Sequence, residues 1–211
     1  VVDIDGAVDM ASTLGVTGAA TFSSTINSAA IVSGITNFTQ GLLISQDGGT
    51  GTLSSANRNT GFGYEVFDDL TSGDDNTGLG NQALSKLTSA AENVAIGSNA
   101  LETNTTGNSN TAVGAYVMNA NTTGEYNTVV GAYAGDALTE ADYNTAVGYL
   151  ALSTDTLGAN NTALGSAALM TQNFTTATNS YNVAVGINAG LLVTTGVQNT
   201  LVGSLAGDAL T

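Results

Sequence analysis

The sequence predicts an all-β fold, a repetitive β-solenoid or β-roll of 17-residue coils preceded by a β-rich shaft segment. The first observation is a phrase, Asn-Thr-small-aliphatic-Gly, that recurs along most of the chain. It begins at nine asparagines: Asn59, Asn76, Asn93, Asn110, Asn127, Asn144, Asn161, Asn182 and Asn199. The interval is 17 residues except for one interval of 21. A fixed period of this kind is the signature of a stacked-repeat protein, in which each unit contacts only its neighbours.

The second observation is how residue size alternates within the phrase, whose positions we number from the asparagine. Position 4 is large and apolar in every copy, as in Val113, Val130 and Val147, whereas position 3 is mostly small. Since successive strand residues point to opposite faces, the phrase predicts a short strand with apolar groups on both faces. We expect the position-4 column to be buried and the position-3 column to face a close neighbour, such as another chain.

The third observation is that position 5 is glycine in all nine copies, which indicates a sharp corner with a positive φ or a close backbone approach. Positions 8 and 9 then supply a second apolar pair. Where position 9 is glycine, position 12 becomes Leu138, Val193 or Leu210, as close packing requires. This exchange is incomplete, because the first two coils have a large residue at both positions: Phe67 and Leu84 at position 9, and Leu70 and Leu87 at position 12. A repeat of 17 residues is too short for a helix pair and suits one β-coil.

The asparagines at position 1 are expected to align from coil to coil as an amide ladder, in a rod about 40 Å long. The four extra residues before Asn182 predict a loop on one coil, within residues 171–181. The residues expected to maintain the repeat are its asparagines, position-4 valines and glycines in the central coils: Asn93, Gly97, Asn110, Val113, Gly114, Asn127, Val130, Gly131, Asn144, Val147 and Gly148.

Residues 1–57 lack the phrase and alternate short apolar stretches with glycines, which is typical of strands and turns. We interpret them as a β-rich shaft and neck, and residues 58–211 as the repeat roll. The start, Val1-Val2-Asp3, resembles neither a signal peptide nor an initiator, and the end falls partway through a repeat, so a fragment of a longer protein is expected.

Composition restricts the function classes. The chain has 17 acidic residues and only two basic ones, Arg58 and Lys86. The resulting formal net charge of −15 argues against binding to nucleic acid or to anionic membranes. The sequence contains no run of 18 apolar residues, so no transmembrane span is predicted. A thin roll with small residues at position 3 presents an apolar stripe that must be covered, and side-by-side association about one axis predicts a coaxial homotrimer.

A search for chemistry predicts no catalytic, cofactor or metal site. The chain has no His and no Cys, so the usual triads, thiol nucleophiles and zinc sites are excluded. Calcium at Asp68-Asp69 and Asp74-Asp75 is an alternative to plain solvated turns. A flat threonine array at position 2 suggests ice binding, but position 2 shares a face with position 4, so an internal threonine ladder is expected. Residues that could contact a receptor or glycan, or else pack locally, are Tyr64, Tyr116, Tyr133, Tyr149 and Phe174.

Two resemblances follow from these residues. The stretch Asn93-Val94-Ala95-Ile96-Gly97 resembles the head repeats of trimeric autotransporter adhesins, which implies coaxial left-handed β-rolls in a trimer, although the repeats here are longer. The stretches Asn110-Thr111-Ala112-Val113-Gly114 and 12–24 resemble bacteriophage tail-fibre proteins. The resemblance implies a structural fibre segment of a tail or virion appendage, in contact with other fibre or virion proteins and with a host-surface glycan or protein. A bacterial surface adhesin or extracellular filament subunit is the alternative, and a fibre-borne glycan hydrolase is a further one.

Overall fold

The computed structural model describes residues 30–35, 38–45 and 54–210 of the chain. Within these ranges the protein contains strands and turns and no helix. The strands are β1 (Ala30–Ile35), β2 (Phe38–Ser45), β3 (Ala56–Asn57), β4 (Thr60–Phe62), β5 (Thr77–Leu79), β6 (Val94–Ile96), β7 (Thr111–Val113), β8 (Thr128–Val130), β9 (Thr145–Val147), β10 (Gly158–Ala159), β11 (Thr162–Leu164), β12 (Thr178–Asn179), β13 (Val183–Val185) and β14 (Thr200–Val202).

One long sheet stacks the phrase strands in parallel and in register. Its order is β1-β2-β4-β5-β6-β7-β8-β9-β11-β13-β14, and β3 pairs with β2 beside this path. Val113 pairs with Val130, and Val130 pairs with Val147, so equivalent residues of successive coils form continuous columns. The predicted β-solenoid of 17-residue coils is therefore confirmed. We number the coils 1 to 9 from Asn59 to Asn199.

The sheet begins before the first phrase. Strand β2 pairs in parallel with β4, with Leu42 opposite Thr60 and Leu43 opposite Gly61. Leu43 is fully buried against the first coil. Strand β1 pairs antiparallel with β2 and covers that edge. The described part of the predicted shaft thus belongs to the sheet of the repeats, while residues 1–29 and the predicted neck at 47–52 lie outside the described residues.

The predicted glycine corner is confirmed at position 5. All nine glycines have φ between 125° and 147°, which is unfavourable for any residue with a Cβ. A Cβ at Gly114 would also lie 2.5 Å from the carbonyl oxygen of Gly131 in the next coil. Positions 7, 9 and 17 are left-handed as well, although most of their residues are not glycine, as at Leu150, Leu152 and Tyr143.

The interior of each coil is filled by positions 3, 8, 9 and 12, and this overturns one expectation. Position 3 points inward: Ala95, Ala112 and Ala146 are fully buried. Position 4 points outward: Val147 is 39% exposed and Phe62 is 57% exposed. The prediction that the position-4 column is buried is therefore wrong. The linked expectation that position 3 forms a stripe facing another chain is also wrong, because that column lies inside the coil. The physical reason is that positions 9 and 12 already occupy a narrow interior, so only a small residue fits opposite them.

The apolar exchange between positions 9 and 12 is confirmed and extends to position 3. In coil 1, glycine at position 3 makes room for both Phe67 and Leu70, because a Cβ at Gly61 would lie 3.0 Å from Cδ2 of Phe67. In coil 5, Gly135 at position 9 accompanies the larger Val129 at position 3. Three positions therefore share one volume, which explains why Leu70 and Leu87 coexist with large residues at position 9.

The predicted amide ladder at position 1 is confirmed. The backbone N–H and the side-chain Nδ2 of Asn127 both donate to Oδ1 of Asn110, at 3.0 Å each. Nδ2 of Asn110 donates to the carbonyl oxygen of Gly124 within the same coil, at 2.8 Å. Both asparagines are fully buried. Each amide therefore joins two coils and closes its own coil, as buried polar groups require.

The predicted internal threonine ladder at position 2 is wrong, since this column faces outward with position 4, and Thr128 is exposed. A threonine ladder does exist at position 13. There the hydroxyl of Thr105 donates to the carbonyl oxygen of Thr122, and that of Thr122 donates to Thr139. These bonds run coil to coil along the turn that closes the repeat.

The four-residue insertion leaves the main sheet undisturbed, as expected for a loop on one coil. Strand β11 pairs with β13 in the usual register, with Ala163 opposite Ala184. The extra residues contribute β12, which pairs with β10. The buried Asp155 accepts hydrogen bonds from Nε2 of Gln172 at 2.6 Å and from the N–H groups of Gly158 and Phe174 at 3.0 Å. This carboxylate fixes the start of the loop.

Candidate interaction surface

The outward side of the parallel strands forms a continuous surface, which we call the outer face: positions 2 and 4 of β4–β9, β11, β13 and β14. Position 2 is threonine in seven coils and valine in two, and position 4 is always Phe, Leu, Ile or Val. At position 4, Phe62 (57%), Leu79 (44%), Ile96, Val147 and Val202 (69%) are exposed, and the other four side chains, Val113, Val130, Leu164 and Val185, are partly exposed. Leu42 of β2, 41% exposed, extends the position-2 column.

The outer face carries no charge in a chain whose formal net charge is −15. Its neighbouring strands are joined by parallel pairing in register, so its aliphatic groups stand in one straight column. A contiguous apolar surface of this kind marks an association site in a soluble protein. Its uncharged side chains suit packing against a matching neutral surface.

Of the predicted contact residues, the tyrosines at positions 6 and 7 are exposed. Tyr116 and Tyr133 lie one coil apart with parallel rings, their centroids 5.2 Å apart. The ring of Tyr149 meets that of Tyr133 edge-on, at 6.5 Å and 86°. The three side chains are 39–55% exposed. They form one aromatic row along coils 4 to 6, so the structure brings these three predicted residues together.

Sequence reasoning missed a second aromatic pair at position 17. Tyr126 and Tyr143 stack with centroids 5.0 Å apart and planes within 9°, and they are 49% and 57% exposed. Position 17 varies in residue type from coil to coil, so it does not stand out in the repeat. The available signal was the spacing itself, because two tyrosines 17 residues apart must be neighbours in a stack of this period.

Phe174, in contrast, is 7% exposed. As a surface contact it is a wrong prediction, and the alternative of local packing holds. Its backbone carbonyl also accepts a hydrogen bond from the hydroxyl of Thr156 at 2.8 Å, which fixes the loop to the preceding coil. Tyr64 is 41% exposed, and a hydrogen bond from its hydroxyl lowers the pKa of the neighbouring Glu65 carboxyl.

The densest acidic cluster, weighed above as a calcium site, is paired with the two basic residues of the chain. Nε of Arg58 donates to Oδ1 of Asp75 at 2.6 Å, and this hydrogen bond lowers the pKa of the Asp75 carboxyl. Lys86 lies 3.5 Å from Oδ2 of Asp69. Oδ1 of Asp74 accepts from the N–H of Asn57 at 2.7 Å. Among the described residues, no group of three or more His, Cys, Asp or Glu side chains could hold a metal ion.

One carboxylate elsewhere is poorly satisfied. Oδ1 of Asp136 is buried without a hydrogen-bond partner in the described part of the chain, and desolvation raises the pKa of this carboxyl above its usual 3.8. A single carboxylate of this kind forms no acid–base pair.

In residues 30–35, 38–45 and 54–210, no helix long and apolar enough to span a bilayer is found. No protein-family model, curated protein or solved structure matches this chain.

Proposed function

We propose that this chain is a structural segment of a fibre, in a phage tail or similar virion appendage, that supports attachment to a host surface. In this proposal the rod is built from three coaxial copies whose outer faces pack together. The single observation that carries it is the outer face itself, an uncharged column of Val, Leu, Ile and Phe along nine stacked coils, exposed in one chain.

The geometry of the column favours other copies of the same chain as the occupant. Equivalent residues recur once per coil in strict register, so a matching surface must have the same spacing, and an identical rod supplies it. Rotation about an axis parallel to the rod brings like coils to the same level and closes the assembly. Three copies, rather than two, is the number that the resemblance to trimeric adhesin heads supports.

A rod of this kind suits a mechanical and display role. Every coil is joined to the next by backbone pairing and by the amide ladder, and coils 1 to 6 are also joined by the threonine ladder. The chain has a formal net charge of −15, so it is repelled by other anionic surfaces. The proposal assigns the chain no catalytic role.

The association is tested by placing charges on the outer face. The double variant Val113→Glu with Val130→Glu puts two carboxylates on each chain at the proposed axis, and we expect the trimer to dissociate. The matched control is Thr123→Glu, which adds a carboxylate at an exposed turn of the same region. Molar mass by light scattering reports the result. If the double variant retains the wild-type mass, the outer face is not the interface.

The location is tested separately on native particles. Antibodies raised against residues 58–211 should label the fibres of phage particles from the source material in electron micrographs. Labelling of bacterial cell surfaces instead would favour the alternative, a surface adhesin or filament subunit with the same trimeric rod. Neither labelling result bears on the interface test, so the proposed trimer and the proposed biological role can each be disproved without the other.

A further inference from the structure

We propose that the stacked tyrosine pairs Tyr116–Tyr133 and Tyr126–Tyr143 are sites of oxidative cross-linking, where dityrosine bonds join coil to coil. This inference concerns a covalent modification and does not depend on the fibre role proposed above. It starts from the placement of the tyrosines. All seven lie within the described residues, at 39–57% exposure, and five of them lie between residues 116 and 149.

The two pairs share a geometry that other tyrosines lack. Within each pair the residues are 17 positions apart, and their backbones are nearly identical, with φ of 56° and 55° for Tyr116 and Tyr133. The rings are parallel, with centroids 5.2 Å apart in this pair and 5.0 Å in Tyr126–Tyr143. One ring is therefore the translated copy of the other, and equivalent ring carbons face each other across a single coil spacing.

The backbone at these positions makes tyrosine an expensive choice. Left-handed φ values are uncommon for bulky residues, and Asn, Asp and Gly adopt them more readily. Other coils place such residues in the same columns, as with Asn99 at position 7 and Asp75 at position 17. Because Leu150 and Gln198 are left-handed in the same two columns, this backbone is a feature of the coil, and its part in the proposal is to give paired tyrosines the same orientation.

The chemistry is a coupling of two phenols. Each ring loses one electron and its phenolic proton to give a tyrosyl radical. The two radicals then form a bond between the Cε carbons next to the hydroxyl groups, and the two hydrogens on those carbons return to the phenol oxygens by tautomerisation. The pair loses two electrons and two protons in total, and one peroxide accepts them and becomes two water molecules. The required co-reactant is therefore hydrogen peroxide with a one-electron peroxidase.

The rest of the chain leaves few competing sites. It has no Cys, Trp or His. Met118 is fully buried, and methionine oxidation adds oxygen instead of coupling two rings. A link between Tyr116 and Tyr133 fastens coil 4 to coil 5 covalently. In a rod that unravels coil by coil, two such links would protect the centre, in a chain without disulfides.

Tyr181 provides an internal control. It is 51% exposed and left-handed like Tyr126 and Tyr143, but its column neighbours one coil away are Asn160 and Gln198. The third contact of the row, Tyr133–Tyr149, is edge-on at 86°, which turns the reacting carbons away from each other. Coupling should therefore select the two parallel pairs.

The test treats the purified, folded protein with peroxidase and one equivalent of hydrogen peroxide per pair. Cleavage at acidic residues then suits the mapping, because Glu125 separates Tyr116 from Tyr133, and Asp136, Glu140 and Asp142 separate Tyr126 from Tyr143. Tyr126 and Tyr133 stay together in peptide 126–136, so we expect this peptide to be linked to peptide 103–125 through Tyr116 and to peptide 143–155 through Tyr143. Each link should remove two hydrogens and give dityrosine fluorescence. The cross-linked protein should also unfold at a higher denaturant concentration.

Conservative variants assign the links. Tyr133→Phe should abolish the first link and spare the second, Tyr143→Phe should do the reverse, and Tyr181→Phe should change neither. Oxidation in denaturant should scatter the coupling over all tyrosines, which shows that folding selects the pairs. The proposal is overturned if the folded protein couples chiefly through Tyr181 or Tyr149, or if it forms no dityrosine under conditions that couple the unfolded chain.

Discussion

Ala112 and Val113 are adjacent in the chain and stand in two columns that behave in opposite ways. Ala112 and its equivalents face a narrow interior and are fully buried, whereas Val113 and its equivalents face outward and are partly exposed. The smaller residue is thus the buried one. In a thin solenoid the size of a side chain reports the room available inside a coil, and burial must be judged from what already fills that room.

The difference also separates two kinds of stabilisation. The inner columns hold a coil together through packing and through the buried asparagines, so changes there should lower the free energy of unfolding of a single chain. The outer columns contribute little to the free energy of unfolding of one chain, so changes there should instead weaken the association between chains. The following variants test this division, from the largest expected effect to the smallest.

The largest effect is expected at the glycine that ends each strand. In Gly114→Ala the new Cβ would lie 2.5 Å from a carbonyl oxygen at a φ of 143°, so we expect a loss of about 4 kcal/mol in the free energy of unfolding. Gly203→Ala is the matched control. Its φ is 125° but the nearest heavy atom to a Cβ is 3.9 Å away, so only the backbone cost of about 1–2 kcal/mol applies.

Urea unfolding followed by circular dichroism measures both variants. Equal losses at the two glycines would show that contact between adjacent coils does not set the requirement for glycine.

A large effect is also expected at the inner polar column. Asn110→Ala removes the acceptor of two hydrogen bonds from Asn127 and leaves a buried N–H without a partner, which should cost about 3 kcal/mol. Asn119→Ala is the control, because that amide is only partly buried and its Nδ2 contacts Glu102 near the surface; it should cost less than about 1 kcal/mol. Thermal unfolding of the two variants gives the comparison, and similar midpoints would contradict a supporting role for the ladder.

The shared interior volume predicts compensation within coil 5. Gly135→Met alone should overpack the coil, since a Cβ there would lie 2.8 Å from Cδ1 of Leu138, at a cost of about 2 kcal/mol. Adding Leu138→Asn and Val129→Ala reproduces positions 3, 9 and 12 of coil 4 and should recover most of the loss. The introduced amide can also donate to Oδ1 of Asn121, which is buried without a partner in the described residues.

Denaturant midpoints of the single and triple variants measure this recovery. A triple variant less stable than Gly135→Met would show that the three positions do not share one volume.

A smaller, pH-dependent effect is expected at Asp136. Desolvation raises its pKa above 3.8, so the folded state keeps the proton to a higher pH than the unfolded state. Stability should therefore fall as the pH rises from about 3.8 through the folded pKa, and the cost remains at neutral pH. Asp136→Asn should remove this slope and raise stability at pH 7 by less than about 1 kcal/mol. The difference in unfolding midpoint between Asp136→Asn and the wild type, measured from pH 3 to pH 8, isolates this group from Glu65 and Asp75, whose lowered pKa values act in the opposite direction. A difference that does not grow as the pH rises would contradict the sign.

The sequence was sufficient for everything that depends on the period. The stacking, the amide ladder through Asn110 and Asn127, the corner at Gly114 and the loop before Asn182 all follow from residues recurring at a fixed interval. The exchange between positions 9 and 12 was visible because packing volume must be conserved from coil to coil.

The orientation of the strand could not be derived in the same way. Both faces of Thr111-Ala112-Val113 are compatible with burial, and a period of two residues does not say which face is the inner one. The left-handed residues at positions 7, 9 and 17 were also hidden, because Leu150, Leu152 and Tyr143 are not residue types that signal a positive φ. The tertiary context of the coil imposes these conformations against local preference.

The most direct test of the central claim, that the outer face is covered by identical copies, is the molar mass of the wild-type protein in solution. Sedimentation equilibrium at micromolar concentration and physiological salt measures it without reference to shape. The account predicts a stable species of three times the 20.9 kDa chain mass. A protein that stays at the mass of one chain, with Val113 and Val130 open to water, would contradict it.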